Sequence, residues 1–175
     1  MAEPTFPPRA KLFTGILFHR DHDLQAIREA FTEHYGSPDL EAGPFPFENT
    51  VYYNEIGTDL KKYFLSFDTL INRESIAEIK IFSNRLEKNL SEGSQRRMNI
   101  DPGYLTLSNV FLASCKDYYH RVYIGQGVYL ENEYRYTDKS YTFWPWTYPD
   151  YQQESYLNFF HQLRSLYHRQ LKEIK

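Results

Sequence analysis

The chain has a single cysteine, Cys115, in 175 residues. An internal disulfide and a cysteine-built metal cluster are therefore excluded. No apolar run approaches the ~18–20 residues that a membrane-spanning helix needs, so no membrane partner is expected. An excess of positive charge is missing as well. Twenty Lys and Arg stand against 23 Asp and Glu, a net charge of −3. General nucleic-acid binding requires a basic surface for phosphate contacts, so DNA is not an expected partner. The opening MAEPTFPPRAKLF carries an acidic residue and Pro4, Pro7 and Pro8, with no apolar signal core. A reducing compartment, the cytoplasm, is the expected location. The chain contains no Walker-type loop, GxGxxG, HExxH or GxSxG. Those absences remove the commonest nucleotide-hydrolase, dehydrogenase, metalloprotease and esterase readings at the motif level. No cofactor is called for.

What the chain has in plenty is aromatic rings: 16 Tyr and 13 Phe, which partly compensate for an apolar share of only 41%. Tyrosine is amphipathic and suits a core boundary, a ligand cleft or an interface. At this length one domain is expected, burying roughly 70% of the surface of its unfolded chain.

Residues 1–9 read as a flexible lead-in, because three prolines deny it a regular ladder. Residues 10–175 read as a single α+β domain. Lys11–Phe18 is a central strand buried on both faces. In His19–Asp23, two His and two Asp could hold a metal, but an aspartate capping the next helix is the simpler reading. That helix runs to Tyr35 on a Leu24, Ile27, Phe31, Tyr35 stripe and stops at Gly36. Pro38–Glu48 reads as a loop. Asn49–Ile56 and Tyr63–Leu70 read as strands, the second with Tyr63, Leu65, Phe67 and Thr69 towards the core. A helix follows over Arg73–Leu90, with Asn72 as its cap. One further strand would complete a βαββαβ unit, the ferredoxin-like arrangement. Leu105–Cys115, Val122–Gly125, Val128–Tyr136 and Tyr141–Trp144 then form an antiparallel meander. Glu131, Glu133 and Arg135 alternate with Leu130, Asn132, Tyr134 and Tyr136, which predicts one wet face. After an aromatic connector, Asp150 caps a long amphipathic last helix whose stripe includes Tyr156, Phe159, Phe160 and Leu163. The expected fold is thus a mainly antiparallel sheet covered by about three helices.

Candidate chemistry gathers in Arg96–Gly125. Asp before Pro is extended and Pro-Gly favours a turn, so Asp101 and Tyr104 should flank a bend. The plainer reading is a turn in which Asp101 bonds local amides. Lys116, His120 and Arg121 bracket the next hairpin turn, with Tyr123 on the Arg121 face. Cationic donors beside a titratable imidazole suit a phosphate or carboxylate. Exposed charges on a hairpin tip are the ordinary alternative. Tyr52, Tyr53, Lys61, Trp146, Tyr148 and Asp150 could wall the same cleft, or simply pack a sheet edge. Cys115 reads as a buried small hydrophobe. A strand of eleven residues from 105 would span roughly 36 Å and hold Asp101 far from His120.

The order of KLFTGILF, PFPFENTVYYNEIG, FLSFDTLI, RRMNIDPGYLTLSNVFLASCKDYYHRVYIGQGVY and PWTYPDY resembles the bacterial family known as domain of unknown function 4416, over about residues 10–160. The resemblance implies a stand-alone cytosolic protein of one domain. It implies no activity. The residues themselves favour a small-molecule binding protein or enzyme for an anionic ligand, a nucleotide or phosphorylated metabolite. In that reading His120 is the acid or base, Asp101 and Tyr104 assist it, and Lys116 and Arg121 clamp the anion. Two alternatives stand beside it. One is a protein-interaction module built on the aromatic connector 144–151. The other is single-stranded RNA bound by tyrosines on an open sheet.

Overall fold

A computed structural model describes residues 2–19, 21–47, 53, 55–91, 93 and 95–174, apart from the side chains of residues 21–23. Its organising element is strand β1 (Ala10–Phe18), buried along its whole length. It is followed by α1 (Asp21–Tyr35), β2 (Pro38–Pro46), β3 (Lys61–Ile71), α2 (Ile76–Asn89) and β4 (Met98–Leu105). Then come β5 (Asn109–Ser114), β6 (Val122–Gly125), β7 (Val128–Thr137), β8 (Ser140–Phe143) and α3 (Glu154–Glu173). The sheet order is β2-β3-β1-β4-β5-β7-β6, with β8 also on β7, and each pairing is antiparallel. Its first half, β2-β3-β1-β4, is the strand order of a ferredoxin-like βαββαβ unit.

Helices cover both faces. Ile27 and Phe31 of α1 and Ile76, Ala77 and Ile79 of α2 meet Leu12, Ile16, Leu65, Phe67, Met98 and Ile100. On the other face Tyr156, Phe159, Phe160, Leu163 and Tyr167 of α3 meet Phe13, Phe64, Leu105, Leu112 and Tyr134. Both faces of β3 are therefore core, and not one.

Several sequence expectations are corrected. The expected loop at 38–48 is largely strand β2, where prolines are tolerated because it is the sheet edge. The expected strand over 49–56 lies mostly outside the described residues, and its described members, Tyr53, Glu55 and Ile56, are in turns. Arg73–Ser75 is a 3-10 turn ahead of α2, and Asn72 makes no side-chain cap bond. A 3-10 turn at Pro149–Gln152 likewise precedes α3, so Asp150 does not cap the long helix.

The largest correction concerns the central stretch. Asp101-Pro102-Gly103-Tyr104 is no bend but the middle of β4, with Gly15 opposite Asp101 and Leu12 opposite Tyr104. Gly103 is required there: a Cβ would lie 2.2 Å from the Phe111 carbonyl and 2.6 Å from the Phe13 ring. The reversal comes later, at 106–108. Thr106 Oγ1 accepts the Asn109 amide at 3.0 Å and the Ser108 amide at 3.3 Å. The supposed eleven-residue strand from 105 is thus the end of β4, a turn and β5. Folding back on itself, it returns Ser114 and the 116–121 turn towards the Asp101 end of β4.

Candidate functional site

The site grows from β7, which lies between β5 on one side and β6 and β8 on the other. The face that carries Glu131 and Glu133 is covered by the 116–121 turn and the 146–148 connector. Glu131 is 2% exposed and Glu133 is fully buried. In the register with β5, Val110 faces Tyr134 and Phe111 faces Asn132, so Glu133 is the extra residue of a β-bulge. Bulges re-aim side chains. Here the bulge sets Glu133 under the connector: its Oε1 accepts the Tyr148 amide at 2.7 Å, and its backbone carbonyl accepts the Thr147 hydroxyl at 2.8 Å. Burial, with Glu131 adding to it, pushes the Glu133 carboxyl up to about 8. Its Oε2 has no hydrogen-bond partner.

Glu131 carries the ionic contacts. Arg121 Nε donates to its Oε2 at 3.1 Å and Nη2 to its Oε1 at 3.3 Å. His120 Nε2 lies 2.8 Å from Oε2. A carboxylate so paired only accepts, so Nε2 is the donor and Nδ1 faces away from Glu131. That Nδ1 is buried without a partner. The orienter of His120 is therefore Glu131, and not Asp101. Arg121 also donates to Tyr148 Oη at 2.8 Å, Ser114 Oγ at 3.2 Å and the Lys116 carbonyl at 3.0 Å. All five of its N–H groups are thereby used inside the protein. It ties the turn, β7 and the connector together, and has no donor left with which to clamp an anion.

Above this base lies a cleft of about 450 Å³, lined by residues 116–121 with Trp146 and Tyr148. The His120 ring stacks on Trp146 at 5.1 Å and 7°, and Trp146 stacks on Trp144 at 5.3 Å and 4°. Trp146 is held by Nε1 donating to the Asn132 carbonyl at 3.0 Å. Tyr118 and Tyr119 close on the edge of His120, at 5.3 and 4.9 Å. Burial, and next the Arg121 guanidinium, lower the pKa of Lys116.

The Asp101 cluster reaches this cleft only through its charge on Tyr148. Burial pushes the Asp101 carboxyl up, yet the Lys80 and Lys62 ammoniums and hydrogen bonds from Lys80 and Asn99 outweigh that and hold it below the usual range. Lys80 Nζ lies 3.3 Å from Asp101 Oδ1 and donates to the Ile100 carbonyl at 2.8 Å. Tyr148 links the two groups of charge. Burial, Glu131 and Asp101 together push its hydroxyl up to about 12. Tyr53 is raised by burial and by Asp101 and Tyr148. Asp150 is raised by burial, with Lys62 opposing.

The structure thus gathers His120, Lys116, Arg121, Trp146 and Tyr148 at one cleft, with Asp101, Tyr53 and Asp150 behind it. Three sequence candidates fall elsewhere. Tyr104 turns into the α1–α2 core against Phe111. Tyr123 is 59% exposed and leans on Tyr129. Lys61 sits on the face of β3 that carries Tyr63 and Leu65. The lysine near Asp101 is its neighbour Lys62, 4% exposed. Tyr52 lies outside the described residues, as do the side chains of Asp21, His22 and Asp23. Cys115 is exposed, with Asn84 Nδ2 at 3.1 Å from its sulfur. Glu131, Glu133, Lys62 and Tyr151 are the additions. The alternation of β7 carries no signal for the glutamates, because the turn and the connector that cover them come from other parts of the chain.

No helix among the described residues is long and apolar enough to cross a membrane. No curated protein and no solved structure matches the chain. The match that exists is to a family model and spans residues 8–167, so the chain belongs to the family described as Domain of unknown function (DUF4416).

Proposed function

We propose that the protein binds a small anionic ligand with a planar body, a nucleotide or another phosphorylated metabolite, in the cleft between the 116–121 turn and the 146–148 connector. The observation that carries this reading is the His120–Trp146 stack, set in the wall of an open cleft over a buried glutamate pair. Aromatic walls with a few fixed polar groups are how small-molecule sites are built. The planar part stacks beside Trp146, Tyr118 and Tyr119, and Lys116 meets the charge. Arg121 positions His120 through their shared Glu131. If the ligand is turned over, His120 Nδ1 is the group suited to move a proton, with Glu131 holding Nε2. This reading places the protein in the bacterial cytosol, without DNA or membrane as partner.

The interaction-module reading draws less support. The connector is pinned to β7 by Thr147, which is 4% exposed, and by Trp146 Nε1, and Tyr151 is 2% exposed. For RNA, α1 and α2 cover one face of the ferredoxin-like half and α3 the other, leaving little open sheet for stacked bases.

The test is a panel of nucleoside phosphates and sugar phosphates, read by tryptophan fluorescence and thermal melting. At least one compound should quench fluorescence saturably and raise Tm by about 5–10 °C at a hundred times its Kd. His120→Ala and Trp146→Ala should lose both responses. If no compound acts, and native mass spectrometry of fresh protein finds no small molecule, the reading is wrong.

A further inference from the structure

The sheet ends on two different edges. One is β2, where Pro38, Pro44 and Pro46 remove ladder donors and so discourage pairing with another chain. The other is formed by β6 and β8, which lie one after the other along the same side of β7, opposite residues 128–130 and 134–137. β6, with the sequence VYIG, has neither proline nor charge. No strand among the described residues pairs with its outer side. Exposed apolar side chains gather on this edge. Among the described residues Tyr118, Tyr119, Val122, Tyr123, Phe143 and Tyr148 are large, apolar and exposed, Tyr119 by 78% and Val122 by 67%. Phe6 and Ile174, the two others, lie outside the sheet. At roughly 200 Å² for a whole ring, the six present on the order of 600 Å². That is the upper end of the about 300–600 Å² that a monomer's largest apolar patch leaves bare. The exposed charges in the turns of this edge come as opposite-sign neighbours, Lys116–Asp117 and Asp138–Lys139, so those turns carry no net charge to oppose a copy of themselves.

β6 and β8 both run antiparallel to β7, so they run the same way as each other. A single antiparallel partner edge can therefore meet both. The same edge of a second copy, turned about a two-fold axis normal to the sheet, is such a partner, and it lays apolar rings against apolar rings. We propose that two copies of the chain pair edge to edge through β6 and β8. A stable interface takes about 800 Å² from each partner, and the six side chains with the open β6 backbone come close to that. The 116–121 turn leads into β6 and the connector leads out of β8, so the cleft opens between the two strands. The second copy then walls the outer side of the cleft. The pairing rests on the edge alone and does not depend on what the cleft binds.

The test is sedimentation velocity of the full chain from about 1 to 100 µM, without ligand. The mass should rise from the 21.0 kDa of one chain to twice that and stop. Hydrogen exchange at residues 122–125 should slow at the higher concentration. Val122→Lys and Tyr123→Lys set like charges against each other across the two-fold axis, and each should weaken the pair at least about tenfold. Phe6→Ser, off the edge, should leave it within about twofold. Both lysine changes fall on exposed side chains, and a melting curve like that of wild type shows that each variant folds; should one fail, the other decides. Acrylamide should quench tryptophan more readily in the lysine variants, because Trp146 lines the cleft that the second copy covers. A wild type that keeps the mass of one chain at the highest concentration overturns the proposal. So does a pair that survives both lysine variants, a mass that climbs past two chains, or unchanged exchange at residues 122–125. Equal quenching in wild type and the lysine variants overturns the walling of the cleft. This proposal and the ligand reading fail separately. A stable pair in which no nucleoside phosphate acts sinks the ligand reading alone, and a monomer that binds one sinks the pair alone.

Discussion

Lys11 and Lys62 are both buried and both lie on the α3 side of the sheet, towards opposite ends of the β1–β3 pair, yet they are treated differently. Lys11 is fully buried, and its ammonium donates to Asp39, to the Phe67 carbonyl at 2.7 Å and to Gln170 Oε1 at 2.9 Å. Burial lowers its pKa and Asp39 opposes the fall. Each of its three protons has an acceptor, as a structural lysine should. Lys62 has two aromatic rings, two carboxylates at a distance and no acceptor among the described residues. The sheet thus fixes one buried lysine by hydrogen bonds and holds the other by ring faces and through-space charge. Arg121 belongs with Lys11: its side chain is 7% exposed and every donor is used.

The contrast breaks first at Arg121. Arg121→Ala leaves Glu131, 2% exposed, without its main partner. Removing one member of a buried pair costs about 3–5 kcal/mol. Urea unfolding should show that loss, and Tm should fall by roughly 6–20 °C. Lys11→Met comes next. It should cost about 3 kcal/mol, at the lower end of that range because Asp39 is 17% exposed. Lys62→Met should change stability by less than about 1 kcal/mol, since it strands no bonded partner. If Lys62→Met were as damaging as Lys11→Met, the distinction between the two ends of the sheet would collapse.

Much of this fold was legible in the chain because it rests on periodicity. The Tyr156, Phe159, Phe160, Leu163 stripe of α3 and the Leu24, Ile27, Phe31, Tyr35 stripe of α1 hold as read. The unbroken apolar run of β1 is buried on both faces. Reading failed where local punctuation and tertiary context disagree. Pro102-Gly103 signals a turn, but β5 pairs only with Gly103–Leu105, so Pro102 lies where β4 has a single neighbour, β1. The true turn, Thr106-Leu107-Ser108, contains neither Gly nor Pro and is closed by a threonine hydroxyl. On the site, His120, Arg121, Trp146 and Tyr148 could be picked out as residue types that do chemistry. Glu131 and Glu133 could not, because strict alternation on β7 looks like a solvated face until the turn and connector packed over it are known. Lys61 and Lys62 differ only in parity, and a register cannot be read from two adjacent lysines.

Glu133 sharpens the comparison through pH. Its carboxyl is raised to about 8 by burial and by Glu131, against an unfolded value near 4.3. Between those values the folded state holds a proton that the unfolded state has released. Stability conferred on the protonated form is therefore complete at about pH 4 and lost as pH rises towards 8. The slope reaches about 1.4 kcal/mol per pH unit from this group alone. Glu133→Gln should flatten the stability profile between pH 5 and 8 by up to that amount. Lys11→Met should leave this slope in place, because the Lys11 ammonium bonds Asp39, Phe67 and Gln170 and neither glutamate. A Glu133→Gln profile as steep as wild type would show that Glu133 does not carry the proton.

Gly15→Ala has a similarly small effect on folding and probes the packing at the Lys62 end. Position 15 pairs with Phe64 and Asp101 in regular strand geometry, so alanine strains no backbone there. The added methyl would lie 3.0 Å from Lys62 Cε and 3.1 Å from Tyr151 Oη. The lysine end is flexible and swings aside, whereas the tyrosine is fixed among Phe64, Tyr134 and Tyr156 and yields little. Unfolding free energy should therefore drop by no more than about 1 kcal/mol, the lower part of the cost of overfilling a packed site. Urea unfolding of Gly15→Ala beside Lys62→Met reads this directly. A loss as large as that of Lys11→Met would mean that the Lys62 and Tyr151 side-chain tips cannot yield at β1, and the two ends of the sheet would then be equally fixed.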